Sequence, residues 1–335
     1  MSQQFLGYVQ KEDPLYNYLR HDIQPLIHGA GGRAKYRVFR LNASNDVFLY
    51  EDKYTGTKFV GKFFLSGKKN TDKAAKRLTH EFDNLCTIRN CGLTGYPHHV
   101  VRPLGRNYSL NSLLITEYSK GDLLSKVILS AIHNGNERRL FYKLTALAYF
   151  LATFHNRTAV GIGVDFNHNC NYMDKLVRKL QRIGEIKDNE AGELYWLRDQ
   201  WRNQEQMWED QQVMVHGDAT PENFMVGRGL RVMTFDLERS HRDDRVFDIG
   251  RIAGELKHFI LRATGNKYAS EPFIGHFLWE YACHFPDRDR TFRSITRRTP
   301  FYIGMTLLRI ARNTWVSRTY RRCLIDEAKE CLRSF

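Results

Sequence analysis

The chain has 335 residues, of which 42% are hydrophobic and 26% charged, so it can fill one large domain or two lobes and is not predominantly disordered. Its formal net charge of +14 favours partners that carry phosphate, such as a nucleotide, a phosphorylated metabolite, a lipid headgroup or a nucleic acid. The sequence has no apolar run of transmembrane length and no signal-peptide core, so it predicts a cytoplasmic protein without a transmembrane segment.

Six cysteines are scattered along the chain without a Cys-x-x-Cys pair. A zinc site needs three or four clustered ligands, whereas the nearest sequence neighbours of that kind, His168 and Cys170, supply only two. The sequence therefore predicts reduced thiols in a cytosolic protein rather than a zinc site.

The first third of the chain predicts an antiparallel β-meander followed by a helix. Short β-branched and aromatic runs separated by turn residues predict strands over residues 36–41, 47–50, 58–65 and 112–118. A helix is predicted over residues 71–89, because Leu78, Phe82, Leu85 and Ile88 recur at helical spacing.

Long helical patterns dominate beyond Gly121. They predict helices over residues 141–155, 172–183, 193–208, 248–264 and 302–335. Residues 213–238 have instead the pattern of short strands and loops. We therefore expect an α+β fold, with a small β-rich N-terminal lobe at residues 1–117 and a large helical C-terminal lobe at residues 118–335.

One segment carries a recognisable chemical motif. The sequence VMVHGDATPENF at residues 213–224 is followed by RVMTFDLE at residues 231–238. Asp218 precedes Asn223 by five residues and Asp236 by eighteen. This HGDxxxxN pattern with a following acidic strand resembles the catalytic core of the aminoglycoside phosphotransferase and choline kinase superfamily, which has a protein-kinase-like bilobal fold. The continuation, FDLERSHRDDRVFDIG, resembles the choline kinase branch.

The resemblance implies an enzyme that transfers the γ-phosphate of ATP to a hydroxyl of a small molecule. Asp218 would orient the attacking hydroxyl and accept its proton. Asn223 and Asp236 would ligate Mg²⁺ through hard oxygen atoms, with Glu238 as a further ligand. Two other positions of the motif would brace the catalytic loop: His216 and Asp248.

Two residues of the N-terminal third match the phosphate-binding pair of kinases. Lys62 lies on a predicted strand, as the phosphate-binding lysine of kinases does. Glu81 lies on the helix that follows and would orient Lys62. Both precede the catalytic segment, in the order found in kinases.

Two loops complete the expected nucleotide site. The loop at residues 42–46 would cover the phosphates through Ser44 and Asn45, and it lacks the glycines of a protein kinase. Glu117 and Tyr118 begin a segment that resembles the family's crossover between lobes, whose backbone would bind adenine.

The last fifty residues are strongly basic, and residues 287–335 hold twelve Lys or Arg against five Asp or Glu. Two interpretations stay open: a solvated helix surface, or a surface that binds an anionic acceptor such as a phosphorylated sugar, a nucleotide-like metabolite or a lipid-linked sugar. The arginines concerned are Arg297, Arg298, Arg309, Arg312, Arg318, Arg321 and Arg322.

Two other functions are less consistent with these motifs. A protein kinase would need a glycine-rich loop and an APE-like activation segment, and residues 237–247 are too short for the latter. A kinase-like scaffold that binds nucleic acid or membrane through its basic face would be expected to have a damaged catalytic motif, and this motif is intact. Nucleic acid is therefore not the expected partner.

Overall fold

The computed structural model describes residues 3–27, 33–41, 46–65 and 70–335. It confirms the predicted α+β architecture, since strands dominate the first third of the chain and helices the remainder. The chain divides into two compact units. Unit 1 comprises Met1–Gly95, His99–Lys120 and Met233–Glu238, and unit 2 comprises Tyr96–His98, Gly121–Val232 and Arg239–Phe335.

Unit 1 is built on a six-stranded antiparallel sheet. Its strands are β1 (Gln3–Tyr8), β2 (Tyr36–Leu41), β3 (Asp46–Asp52), β4 (Lys58–Phe63), β6 (Pro103–Asn107) and β7 (Leu113–Glu117). They lie in the order β1-β2-β3-β4-β7-β6. Asp52 closes the turn between β3 and β4, because its carboxylate accepts hydrogen bonds from Thr55 Oγ1 at 2.7 Å and from the backbone N–H of Lys35 at 2.9 Å.

Two helices accompany this sheet: α1 (Pro14–Tyr18) and α2 (Thr71–Asn90). Asn70 begins α2, since its side chain accepts a hydrogen bond from the backbone of Lys73. The buried positions of α2 recur every three or four residues and are Ala74, Leu78, Glu81, Leu85 and Ile88. A carboxylate in an otherwise apolar stripe is costly unless it has a partner, so Glu81 is a candidate for a functional residue.

Unit 2 is mostly helical. Its helices are α3 (Leu124–Asn134), α4 (Glu137–Thr158), α5 (Asn167–Arg182), α6 (Asp188–Arg202), α7 (Val246–Thr264), α8 (Glu271–Ala282), α9 (Arg288–Ala311) and α10 (Arg318–Leu332). Two antiparallel strand pairs lie among them, β8 (Asp122–Leu123) with β10 (Phe224–Val226) and β9 (Gln212–Val215) with β12 (His241–Asp244). The remaining strands, β5 (His98–Val100) and β11 (Val232–Thr234), lie where the chain passes from one unit to the other.

Helices α7 and α9 approach closely because α7 presents glycines to α9. A Cβ atom at Gly250 would lie 2.2 Å from Cβ of Tyr302, and one at Gly254 would lie 2.7 Å from Cβ of Thr306. Any side chain at either position would therefore push the two helices apart.

Two predicted helices differ from those in the structure. The helix predicted over 302–335 is divided into α9 and α10, because Ser317 caps the start of α10 by accepting a hydrogen bond from the backbone of Tyr320. The helix predicted over 193–208 begins at Asp188 and ends at Arg202, where Asn203, a residue that favours turns, follows.

Helices α1, α3 and α8 have no counterpart among the predicted elements. They contain 5, 11 and 12 residues, and periodicity is a weak signal over such short segments. Within the described residues, none of the helices is both long enough and apolar enough to cross a membrane.

Candidate active site

The predicted catalytic segment leaves β9 through a tight turn at His216, Gly217 and Asp218. Gly217 has a φ of +77°. A Cβ atom at this position would lie 2.0 Å from the carbonyl oxygen of Arg239, so only glycine fits. The turn thus brings the chain from a buried strand to Asp218 within three residues.

A buried carboxylate on α7 holds this turn in place. Asp248 accepts hydrogen bonds from the backbone N–H of His216 at 2.6 Å and of Gly217 at 3.1 Å. His155 of α4 lies 3.2 Å from the same carboxylate. Burial alone would raise the pKa of Asp248, but these hydrogen bonds and the nearby histidines outweigh it and keep the pKa below its ordinary value. Asp248 therefore stays ionised and fixes the backbone that precedes Asp218.

Three guanidinium groups converge on Asp218. The shortest distances to its carboxylate are 3.2 Å from Arg251, 3.8 Å from Arg309 and 4.0 Å from Arg239. Burial alone would raise the pKa of Asp218, but the three arginines outweigh it and hold the pKa below its ordinary value. Asp218 is therefore an anion at neutral pH and can accept a hydrogen bond from a hydroxyl. Arg309 is also paired with Glu255 of α7.

Asn223 lies at the end of a short 3-10 turn, Pro221–Asn223, and is largely buried. Its side-chain amide donates a hydrogen bond to the backbone carbonyl of Asp218 at 2.8 Å. The two predicted residues are therefore tied together, and the loop between them is closed by one of its own side chains.

In unit 1, Lys62 of β4 makes three ion pairs with carboxylates. Its Nζ atom lies 2.7 Å from Glu81, 2.6 Å from Asp236 and 3.2 Å from Glu238. Burial lowers the pKa of Lys62, but the three carboxylates raise it more, so the net shift is upward. Burial raises the pKa of Glu81 to about 7, against the opposing effect of Lys62. The structure thus brings together the predicted lysine and its predicted helix partner.

The same carboxylates have the composition of a magnesium site. Ligand oxygens of Glu81, Asp236 and Glu238 all lie within 4.8 Å of one another. Three carboxylates face two cations in this group, Lys62 and Arg77, the second of which pairs with Glu238 at 2.8 Å. A set made only of oxygen donors with an excess of negative charge fits a hard divalent ion such as Mg²⁺. Of the three predicted ligands, Asp236 and Glu238 belong to this group, whereas Asn223 belongs to unit 2.

The sequence matches a known protein family over most of its length. The family model of the phosphotransferase enzyme family (APH) matches residues 35–277, more than half of the chain. The chain belongs to this family. It is therefore a phosphotransferase, as the resemblance predicted. No match was found among curated protein sequences.

Solved structures share the fold of this phosphotransferase over most of both chains. The aminoglycoside phosphotransferase APH(2'')-Ib, with ADP bound, is 15% identical, with 96% of this chain and 97% of that chain covered and a TM-score of 0.53. The Plasmodium vivax ethanolamine kinase is 14% identical, with coverages of 89% and 80% and a TM-score of 0.57. The macrolide 2'-phosphotransferase type I is 13% identical, with coverages of 98% and 99% and a TM-score of 0.53. These similarities establish the predicted kinase-like fold.

The other nucleotide-binding residues predicted for the phosphotransferase are placed as follows. Ser44 and Asn45 lie outside the described residues. The Glu117 carboxylate accepts a hydrogen bond from the backbone N–H of Arg102 at 2.6 Å and lies 2.6 Å from Nε2 of His99. The ring of Tyr118 lies near the ammonium group of Lys58. Because the Glu117 side chain is engaged within unit 1, only its backbone remains a candidate for contacting adenine.

Arg251, Glu255 and His155 belong to the network of contacts around Asp218 and Asp248 and were absent from the predicted site. Arg251 and Glu255 follow Asp248 by three and seven residues, so all three lie on one face of α7. That spacing was a usable signal once Asp248 had been identified. His155 offered none, because a histidine within a hydrophobic helix has the same pattern whether or not it supports a site.

Proposed function

We propose that this phosphotransferase transfers the γ-phosphate of ATP, with Mg²⁺, to a hydroxyl group of a small molecule. The observation that carries the proposal is the Asp218 carboxylate, which is fixed by Asp248 and Asn223 on a turn that only glycine permits. The group of Lys62 with three carboxylates supports the nucleotide and metal part. The family and its nucleotide-bound structural neighbours are consistent with both.

The residues of unit 1 have roles in binding the nucleotide. Lys62 would bind the phosphates, and Glu81 would keep its ammonium group in position. Asp236 and Glu238 would hold Mg²⁺, together with Asn223 from unit 2. The bound ion would neutralise negative charge on the phosphates. The loop with Ser44 and Asn45 would cover the phosphates, and the backbone at Glu117 and Tyr118 would contact adenine.

Asp218 acts on the acceptor. Because its pKa is held low, it is ionised at neutral pH and orients the hydroxyl by accepting its hydrogen bond. A weak base of this kind takes the proton only as the new bond to phosphorus forms and the hydroxyl becomes more acidic. Arg251 and Arg309 position the carboxylate for this task.

The test is a phosphoryl-transfer screen. The full chain is incubated with ATP, Mg²⁺ and pooled hydroxylated metabolites, and products are read by mass spectrometry. On the acceptor found, Asp218→Asn should lower turnover roughly 10²–10⁴-fold, the usual contribution of a positioned base, while ATP binding is unchanged. Asp326→Asn, an exposed carboxylate of α10, is the matched control and should keep wild-type turnover. Full activity in Asp218→Asn would refute the role of this carboxylate.

Whether the acceptor is anionic depends on which arginines of the C-terminal region are available to bind it. Four of the seven named in the sequence analysis have carboxylate partners. Arg298 pairs with Asp210 and Asp244, Arg309 with Asp218 and Glu255, Arg321 with Glu185, and Arg322 with Glu190 and Asp326. Most of this positive charge is therefore compensated within the protein, and the anion-binding interpretation must rest on the remaining arginines.

One cluster of cations lacks such compensation. A surface cavity of about 500 Å³ is lined by Lys175, Arg178, Lys179, Arg182, Arg312 and Asn313. Within the described part of the chain, none of the five cations is paired with a carboxylate. We refer to this cavity as the basic cleft. It is formed by the exposed side of α5 and the end of α9.

Helix α9 connects the basic cleft to the catalytic carboxylate. Arg309 contacts Asp218, and Arg312, three residues further along the chain, lines the cleft. Three residues of helix advance about 4.5 Å along its axis. This proximity of Arg309 and Arg312 along α9 is the basis for proposing an acceptor with its hydroxyl at Asp218 and an anionic group in the cleft. We infer that the acceptor carries a phosphate or carboxylate group, as in a phosphorylated or lipid-linked sugar.

Paired substitutions test this inference once an acceptor is known. Arg312→Ala and Lys179→Ala should each raise the Michaelis constant of the acceptor roughly three- to tenfold, with that of ATP unchanged, because exposed charge pairs contribute about 1 kcal/mol. Arg318→Ala removes an exposed arginine outside the cleft and should change neither constant. The effect of the cleft should weaken as salt rises, since screening acts over about 8–10 Å. Unchanged constants in both cleft variants would leave the cleft a solvated surface.

We also propose that the protein works in the cytoplasm. None of its six cysteines forms a disulfide in the described part of the chain, which is consistent with a reducing compartment that supplies ATP.

A further inference from the structure

Three potential metal ligands meet in unit 2, outside the groups described above. His241 and Asp243 are two residues apart on β12, so their side chains lie on the same face of the strand. His168, in the first turn of α5, reaches the same place. The ligand atoms of all three residues lie within 4.8 Å of one another. Neither histidine takes part in the proposed phosphoryl transfer.

The two ring nitrogens of His241 both face hydrogen-bond acceptors. Nδ1 lies 2.9 Å from the carbonyl oxygen of Arg239, which can only accept, so Nδ1 carries a hydrogen. Nε2 lies 3.1 Å from Oδ2 of Asp243, which is an acceptor when ionised. A neutral ring would therefore direct a lone pair at a carboxylate oxygen. The space between Nε2 and Oδ2 calls for a cation, which is either a proton or a metal ion.

Asp243 is held in the orientation that this cation requires. Its Oδ1 atom accepts hydrogen bonds from the side-chain amide of Asn169 at 2.7 Å and from the backbone N–H of Asp244 at 2.7 Å. Oδ2 is thereby directed to His241. Asn169 is fully buried, and its own Oδ1 atom has no hydrogen-bond partner within the described residues. Such a buried amide orients a ligating carboxylate in many metal sites.

We propose that His168, His241 and Asp243 bind a divalent transition-metal ion of the Zn²⁺ type. Bonds of about 2.0–2.2 Å place neighbouring ligands of a tetrahedral ion roughly 3.3–3.5 Å apart, and the 3.1 Å between His241 and Asp243 is close to this spacing. Two imidazoles favour Zn²⁺ over Mg²⁺. His168 is exposed, so the fourth position is open to water.

This ion would stabilise the backbone at Arg239, against which the turn before Asp218 packs. The carbonyl of Arg239 that accepts the hydrogen bond of His241 is the group that excludes a side chain at Gly217. Fixing the His241 ring therefore fixes the backbone against which the turn before Asp218 packs. Its ligands are different residues from those of the proposed Mg²⁺ site, whose ligands from unit 1 are all carboxylates.

The test uses Co²⁺ as a spectroscopic probe of nitrogen ligation. The untagged full chain is titrated with Co²⁺ in excess Mg²⁺, which saturates sites made of oxygen ligands. We expect one nitrogen-ligated Co²⁺ per chain by absorption and elemental analysis, and a higher melting temperature with Zn²⁺. His168→Ala should weaken Co²⁺ binding roughly 100-fold or more. Because His168 is exposed, this variant should fold normally.

His133→Ala, which removes another exposed histidine of unit 2, is the matched control and should bind Co²⁺ like the wild type. Three results would overturn the proposal: no nitrogen-ligated Co²⁺ in the wild type, equal binding in His168→Ala, or equal losses in both variants. The first would leave a proton as the cation between His241 and Asp243. The third would indicate non-specific binding to surface histidines.

Discussion

The charged groups around Lys62 and around Asp218 have opposite charge arrangements. In unit 1 a single buried lysine, Lys62, is surrounded by three carboxylates. In unit 2 a single carboxylate, Asp218, is surrounded by three guanidiniums. Burial raises the pKa of Glu81 against the opposing effect of Lys62, whereas the three arginines outweigh burial and hold the pKa of Asp218 below its ordinary value. The pKa values of the two acids are therefore shifted in opposite directions.

The difference indicates which charge each group is built to receive. When all three of its carboxylates are ionised, the group in unit 1 has one negative charge more than its two cations balance, and a divalent ion would reverse this excess. In unit 2, Asp218 and Glu255 face Arg239, Arg251 and Arg309, which leaves one excess positive charge. The first group therefore suits a cation and the second suits an anion, which is what the proposed transfer from a metal-bound nucleotide to an anionic acceptor would require.

The largest effect is expected from removing a carboxylate of unit 1. Asp236→Ala should abolish magnesium-dependent ATP binding, because this carboxylate is proposed to hold the ion that bridges the phosphates. Calorimetry with and without Mg²⁺ measures it. Asp83→Ala, an exposed carboxylate of α2 paired with Arg106, is the control and should bind ATP normally. If Asp236→Ala and the wild type bound ATP equally in Mg²⁺, the assignment of unit 1 to the metal would be wrong.

A smaller effect is expected from removing a cation of unit 2. Arg251 is 2% exposed, so Arg251→Met should lower the free energy of unfolding by about 2–4 kcal/mol and leave Asp218 less well compensated. Urea unfolding measures the stability, and the acidic limb of the pH–rate profile should move to higher pH as the pKa of Asp218 rises.

Arg228→Met, in which an exposed arginine is removed, should change neither property. Arg251→Lys keeps the charge, so it should lose less stability than Arg251→Met and move the acidic limb of the pH–rate profile less. A pH–rate profile unaltered in Arg251→Met would mean that Arg251 supports the fold alone and does not position Asp218.

The smallest effect is expected for His258, a buried histidine of unit 2 near Arg262 and Arg309. Burial, then Arg262 and Arg309, lower the pKa of His258 to about 4. Because the unfolded chain has the higher pKa, this histidine stabilises the fold fully above about pH 6.5, and the contribution is lost as the pH falls towards 4. His258→Gln should therefore reduce the loss of stability between pH 7 and pH 5 by about 1–2 kcal/mol.

Chemical unfolding of the wild type and His258→Gln at a series of pH values measures this contribution. His133→Gln is the control, since His133 is exposed on α3. Parallel pH profiles for all three proteins would show that burial and the two arginines do not lower the pKa of His258.

The sequence predicted the parts of the site that lie close together along the chain. Asp218 and Asn223 are five residues apart, and one turn with one side-chain hydrogen bond joins them. The pairing of Lys62 with Glu81 was also predicted, because the order of these residues before the catalytic segment resembles that in kinases. Local spacing and a resemblance in residue order were sufficient for these features.

The sequence could not predict which arginines are compensated. Arg298 is paired with carboxylates 54 and 88 residues earlier in the chain, and Arg321 with one 136 residues earlier. A buried, paired arginine and an exposed one such as Arg318 have the same local pattern. The distinction depends on the packing of α9 and α10 against the rest of unit 2. His241 and Asp243 were not predicted as neighbours of His168 for the same reason: these residues are far apart in the sequence and come together only in the fold.

The contact between α7 and α9 makes this enzyme sensitive to changes that carry no charge. Arg251 lies on α7 and Arg309 lies on α9. The distance between these two helices depends on Gly250 and Gly254, which have no side chains. Adding a single methyl group at Gly250 would widen that gap and draw one guanidinium away from Asp218 relative to the other. An apolar substitution at Gly250 could thus alter the pKa of Asp218 without contacting its carboxylate. In a laboratory evolution experiment on acceptor choice or pH optimum, substitutions at this contact between α7 and α9 could change the site without replacing any of its residues.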